Sequence, residues 1–433
     1  MRAYKIIVMV ALLLAASSLL AFILLRADDG AVVHWTNLSP VYWVNKNTTN
    51  STTQACMADP VVTVQDAFSA WNHAAPLTIS VNYGGTTSIT DFCGMSLDDT
   101  GCDSTNVILF SKQWEGGSFP AGALAVTVTN YSTADGVIYG VDMVFNDAIK
   151  WSDDPYNNAN DLCKGSSVYS LAAVVTHESG HFYGLDHSFV AYVGENFDPS
   201  IAATMFPVYF GNTVWLDMAS LEQDDKAGVY YLYPGAPDPG WGRIKGTVKD
   251  QTGKGFFGVH VQAIRKSDAV PVLGVLSESD GSYLLYGLTP DDYYAYAESP
   301  YIAGEFFTSW ISTYYQNADS VPYVQLYSKI QINNYAQLAA GSTVFSRATP
   351  ITVAAGATVA GIDFSYTIQP HLSPPTTSLG NNHGDDGGNG GCGCVLNPGL
   401  PLVKPDIDLA SISALLLLSG LSLRSIRRKK AAA

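Results

Sequence analysis

The chain has 433 residues, with 22 Lys plus Arg against 38 Asp plus Glu and a formal net charge of −16. That length predicts two or three domains, and 47% hydrophobic residues are ample for real cores. The acidic balance argues against a nucleic-acid partner, which would demand a basic face; a charged fraction of only 14% fits an extracellular surface better than a cytosolic one.

Arg2 and Lys5 precede an apolar run from Ile6 to Leu25, and Arg26-Ala27-Asp28-Asp29 follows. A charged start, an apolar middle and a polar exit read as a signal peptide cut near Ala27, or as an uncleaved anchor, over residues 1–29. Either way the bulk of the chain is expected to cross a membrane. Six cysteines fit an oxidising compartment. Cys93 and Cys102 are close enough for a local bridge, leaving Cys56 and Cys163 as a second pair, although spacing leaves the connectivity open.

The first folded unit, 30–235, begins near Val32. Val32–Trp35 and Val41–Val44 predict a short strand pair or one bent strand, and Val62–Ala70 a helix with Val62, Ala67 and Ala70 toward its apolar side. Leu77–Val81 alternates, and Val107–Phe110 is continuous, as a buried strand would be. Ala125–Thr129 and Val137–Tyr139 flank Asp135-Gly136, a hairpin pattern, and Val141–Asn146 adds another strand. Ser166 or Ser167 then caps a helix carrying Val168, Leu171, Ala172 and Val175 at helical spacing.

That helix runs into His177-Glu178-Ser179-Gly180-His181-Phe182-Tyr183-Gly184-Leu185-Asp186-His187. On a helix, His177 and His181 leave one face a turn apart and can share one Zn²⁺. Gly184 stops the helix by taking a left-handed turn cheaply, which lets His187 return as a third ligand. Three protein ligands leave one position for solvent, the mark of a catalytic rather than a structural zinc. Glu178, beside the first ligand, is placed to act as general base on the attacking water. HExxH alone occurs by accident on helices, but here five specified positions fall within eleven residues.

The segment Val32–Pro234 resembles the catalytic domain of the matrixin metallopeptidases, within the metzincin clan. The resemblance rests on Gly-Leu-Asp-His-Ser around His187, on Ala203-Thr204-Met205-Phe206-Pro207 as a Met-turn, and on Leu221–Val229 with Leu232-Tyr233-Pro234 as a closing helix. Ser220 and Gln223 also fit a capping box for that helix. The resemblance implies Met205 beneath the metal and an edge strand, Ala123–Tyr131, along which a peptide pairs through backbone groups near Leu124, Val126 and Val128. Pro207, Val208, Tyr209 and Phe210 would then form the primed-side pocket. Two family features are not seen: a cysteine-switch segment before Val32, and a His- and Asp-rich loop for a structural zinc. Asp98-Asp99 and Asp153-Asp154 fit either Ca²⁺ sites or solvated turns.

Residues 236–242 read as a linker by composition, and 243–370 as an all-β sandwich that resembles a carboxypeptidase-regulatory-like module, with strands at Arg243–Val248, Val259–Ile264, Ser282–Tyr286, Tyr293–Ala297 and Val359–Tyr366. His260 reads as a strand residue rather than a ligand, and residues 300–345 as an insertion. Residues 371–400 form a Gly-rich tether with Cys392-Gly393-Cys394. In 401–433, the apolar run Ile407–Leu423 meets Arg424, Arg427, Arg428, Lys429 and Lys430. That order resembles the tripartite sorting signals of bacterial surface proteins, which a membrane protease cuts; a plain anchor is the alternative.

The expectation is therefore an α+β metzincin catalytic domain, a mixed twisted sheet with an active-site helix, followed by an all-β sandwich. Its function would be that of a zinc endopeptidase for extracellular proteins, secreted or held at a bacterial cell surface. The rival from another class is a catalytically weak surface adhesin that binds peptide on a metzincin scaffold.

Overall fold

In a computed structural model, the described residues are 22–367, except 94–102, 114–121, 157, 191, 194–195, 198–200, 303–304, 307–310, 316 and 333–342, together with Gly391–Cys392. They belong to one compact unit, Met1–Leu396.

The first half is built on five strands: β1 (Val41–Asn45), β2 (Asn82–Thr86), β3 (Asn106–Ser111), β4 (Ala125–Tyr131) and β5 (Ile138–Asn146). They hydrogen-bond in the order β2-β1-β3-β5-β4. Only β4 runs antiparallel to its neighbour, and the Asp135-Gly136 turn joins it to β5 as expected. Side chains alternate between the faces: Val107, Leu109, Val126 and Val144 close on Phe92, while Ile108, Ala125, Met143 and Phe145 face the main core.

Helix α1 (Ser51–Cys56) is tied by a Cys56–Cys163 disulfide to residues 107 positions later. Cys93 is also disulfide-bonded, and its expected partner Cys102 lies outside the described residues. Helix α2 (Pro60–Asn72) opens with Pro at its first position, and the Asp59 carboxylate accepts from Val61 N. Its buried stripe is Val61, Val64, Ala67, Phe68 and Trp71; Val62, expected inside, is 53% exposed because the 3.6-residue period runs through its neighbours.

Three further expectations shift. Leu77 makes only a bridge to Pro234, and the strand anticipated at Leu77–Val81 lies at β2. Val32 and His34 make isolated bridges to Arg26 and Val137 instead of pairing with β1. Val168–Ser170 forms a short strand, β7, beside β6 (Lys150–Ser152), so the active-site helix α3 (Leu171–Tyr183) begins later and Ser170, not Ser166 or Ser167, caps it.

The last residues of the segment read as an export signal are packed into the fold. Phe22, Ile23, Leu24 and Leu25 are each under 5% exposed. Leu24 bridges Leu185, Leu25 N donates to Gly184 O, and Arg26 pairs with Glu278 at 2.7 Å. A cut near Ala27 would take this strand out of the core; residues 1–21 lie outside the described set.

Helix α4 (Gln223–Leu232) closes the first half. Glu222 caps it, with Glu222 N donating to the Asp225 carboxylate, in place of the anticipated Ser220–Gln223 pair. The second half contains β8 (Gly242–Asp250), β9 (His260–Arg265), β10 (Pro271–Leu276), β11 (Ser282–Leu288), β12 (Asp291–Glu298), β13 (Val324–Leu326), β14 (Ile330–Ile332), β15 (Ile351–Val353), β16 (Thr358–Ala360) and β17 (Phe364–Tyr366). One sheet centres on β8 with β11, β16 and β17; the other runs β10-β9-β12-β13-β14, with β15 on β12. Ile244, Val248 and Leu285 of the first share a core with Val261, Val275 and Ala295 of the second. Val359–Tyr366, expected as one strand, is split into β16 and β17.

Candidate metal centre

Helix α3 is buried almost all round, so it must satisfy its ends from within the fold. Ser170 Oγ accepts from Ala173 N at 3.2 Å. At the other end Gly184 has φ +98°, and its N–H and that of Leu185 return to the last helical carbonyls. A Cβ on Gly184 would stand 2.5 Å from Val33 O, so both backbone sign and space require glycine. Aromatic packing seats the helix: Trp71 stacks on Tyr183 at 5.7 Å and donates from Nε1 to Thr176 O.

The imidazoles of His177, His181 and His187 converge, with ring centroids 4.7–5.2 Å apart. His177 Nδ1 lies 2.7 Å from Thr204 O, and His181 Nδ1 lies 2.8 Å from Leu185 O. A ring nitrogen facing a carbonyl must carry the proton, which leaves each Nε2 with a lone pair. Those two Nε2 atoms stand 3.2 Å apart. Two nitrogens on one tetrahedral zinc, each about 2.05 Å away, would be separated by roughly 3.3 Å, so the pair fits that ion. Burial pushes the His177 imidazolium down to about 4 and holds His181 well below its ordinary value, with His187 and His177 adding to the effect. Both rings are thereby kept neutral, as ligation needs. Among the described residues, this triad is the group of three or more His, Cys, Asp or Glu side chains able to hold a metal ion. A calcium site finds no support: Asp154 accepts from Tyr156 N and Asp153 from Asn158, as turn residues do, and Asp98-Asp99 lies outside the described residues.

Glu178 is fully buried, and Thr127 Oγ1 on β4 donates to its Oε2 at 2.6 Å. Thr127 went unsingled in the sequence, where the one signal was a hydroxyl among valines on a buried strand. The side chains of Leu124, Val126 and Val128 are themselves buried, with Val126 packed on the face opposite the helix. What β4 offers a peptide is therefore its backbone edge, and Gly391–Cys392 of the tail pairs antiparallel with Val128 and Thr127 there.

Met205, the residue of the anticipated Met-turn, packs against α3 at Gly180. A Cβ on Gly180 would meet Met205 Sδ at 2.2 Å and Trp71 at 2.7 Å, so the glycine between the two helical histidines makes room for both. The turn is pinned by Asp225, which accepts from Thr204 N at 2.9 Å and Met205 N at 3.1 Å. Burial raises that carboxyl to about 6. Met205 O in turn accepts from Ser188 N, next to His187. Pro207 is buried, and the Tyr209 hydroxyl accepts from Ser170 N and donates to Asn212, so it braces the start of α3. Tyr209 also lines a cavity of about 650 Å³ with Tyr156, Tyr169 and Phe210.

Residues 34–234 match the family described as Matrixin, a peptidase family. Over those residues the chain is similar to a matrixin domain. That family uses a catalytic zinc, and the triad of His177, His181 and His187 could bind one.

Proposed function

From the similarity to a matrixin domain over 34–234, we propose that the chain is a zinc-dependent endopeptidase acting on extended segments of extracellular proteins. The observation that carries this reading is the convergence of three buried imidazoles beside a buried carboxylate. Zinc, when bound, supplies a Lewis acid that acidifies a water and polarises a peptide carbonyl. His177, His181 and His187 would hold that ion. Glu178 takes the proton of the attacking water and delivers it to the leaving amine, while Thr127 fixes the carboxylate's rotamer. The β4 edge aligns the peptide backbone through Leu124, Val126 and Val128 by strand addition; its pairing with Gly391–Cys392 supports this role. Tyr209 and Phe210 border the aromatic cavity, which would receive a substrate side chain; Pro207 joins this pocket only by the family resemblance.

Export to an oxidising compartment is part of the same reading, supported by the Cys56–Cys163 bridge. No helix among the described residues is long and apolar enough to cross a membrane. Membrane attachment and cutting by a sorting protease therefore rest on the terminal sequence patterns alone, and 393–433 lie outside the described residues. The second half is read as a carboxypeptidase-regulatory-like sandwich.

Peptide cleavage by zinc-loaded protein tests the proposal. Glu178→Ala should lower turnover at least a hundredfold while zinc stays bound. Normal turnover in that variant would refute the role given to Glu178 and favour a different reaction.

A further inference from the structure

We propose that the second half, residues 242–366, is a positioning element of the metal centre, because it clamps the loop that carries His187. This rests on the reading of His187 as a zinc ligand. His177 and His181 take their places from α3, but His187 lies beyond Gly184 in a loop and takes its place from its neighbours.

Those neighbours are held from across the junction. Asp186 accepts from His187 N through one oxygen and from Ser312 N, at 2.7 Å, through the other. Ser188 Oγ donates to Asp224 at 2.7 Å, and the second oxygen of Asp224 accepts from Gly274 N at 2.9 Å. Phe189 packs among Leu276, Ile311 and Tyr315, with its ring 5.6 Å from that of His260. Gly274 leaves the space for this approach: a Cβ there would stand 2.9 Å from Val190 and 2.6 Å from His260.

Asp186 and Asp224 are 1% and 3% exposed, so each would lose a donor to a buried carboxylate if the halves parted. A spacer joined by a polar, wet interface would not be built so. Residues immediately before and after the third ligand are therefore set by the β-rich half, as outer partners set a metal ligand elsewhere.

The full chain tests this through zinc affinity, measured by competition with a chromophoric chelator, and through the visible spectrum of the Co²⁺ form. Gly274→Val and Ile311→Ala should each weaken zinc binding about tenfold or more and change the Co²⁺ spectrum. Ser312→Ala keeps the N–H that Asp186 uses and should bind as wild type does. Phe364→Ala, in the other sheet, should lower the melting temperature without changing the affinity. Wild-type affinity in both Gly274→Val and Ile311→Ala, or an equal loss in Phe364→Ala, would overturn the inference. Failure of the wild-type chain to bind zinc would instead overturn the ligand assignment.

Discussion

The carboxylate of Glu178 accepts a hydrogen bond from the Thr127 hydroxyl. Thr127 reaches it across 51 residues of sequence, and both groups are buried. A hydrogen bond to a charged group contributes about 1.5–3 kcal/mol. Thr127→Val, nearly the same shape, should therefore cost roughly tenfold or more in kcat, with zinc content unchanged; an unaltered kcat would remove Thr127 from the account. The contrast with the histidines shows what a sequence displays. His177 and His181 are four apart, so helix geometry alone brings them together. Thr127 and Asp225 act through the packing of separate elements, and no local period marks them.

At the level of elements, the site depends on where α3 stops. Gly184 turns the chain through a left-handed φ and presses against Val33 O, so Gly184→Ala combines backbone strain with a clash. A loss of about 1–3 kcal/mol in unfolding free energy is expected, measured by denaturant titration. An unchanged midpoint would mean the loop tolerates another path. The stop of this helix was legible because glycine at that place has one economical conformation. Its start was not: Val168 fits an apolar helical stripe, yet β7 claims it by pairing with β6. A short apolar stretch obeys either period, and only the partner strand decides.

At the scale of the whole molecule, the segment Phe22–Leu25 is packed into the fold. Phe22–Leu25 continue an apolar run that reads as membrane-bound, because a hydrophobic stretch looks alike whether it enters a bilayer or a core. Here it lies against the turn after α3, and Arg26 pairs with Glu278 of the second half. Burying a large apolar side chain stabilises by about 1.5–3 kcal/mol, so four of them rival the total stability of a domain. Protein expressed from Phe22 should melt as the longer chain does, whereas protein expressed from Asp28 should melt far lower or fail to fold. Equal melting temperatures would show that the segment is dispensable. The histidine motif and the later run of strands were legible from spacing alone. Their mutual burial around the His187 loop was not, because it joins residues more than a hundred positions apart, as Asp186 joins Ser312.

The central claim is that three imidazole nitrogens hold one zinc with a position left for solvent. X-ray absorption at the zinc edge of the loaded chain tests it most directly. Three nitrogen ligands at about 2.0–2.1 Å with oxygen completing the shell are expected, with the loss of one nitrogen in His187→Ala. A sulfur ligand near 2.3 Å, or a spectrum that His187→Ala leaves unchanged, would contradict it.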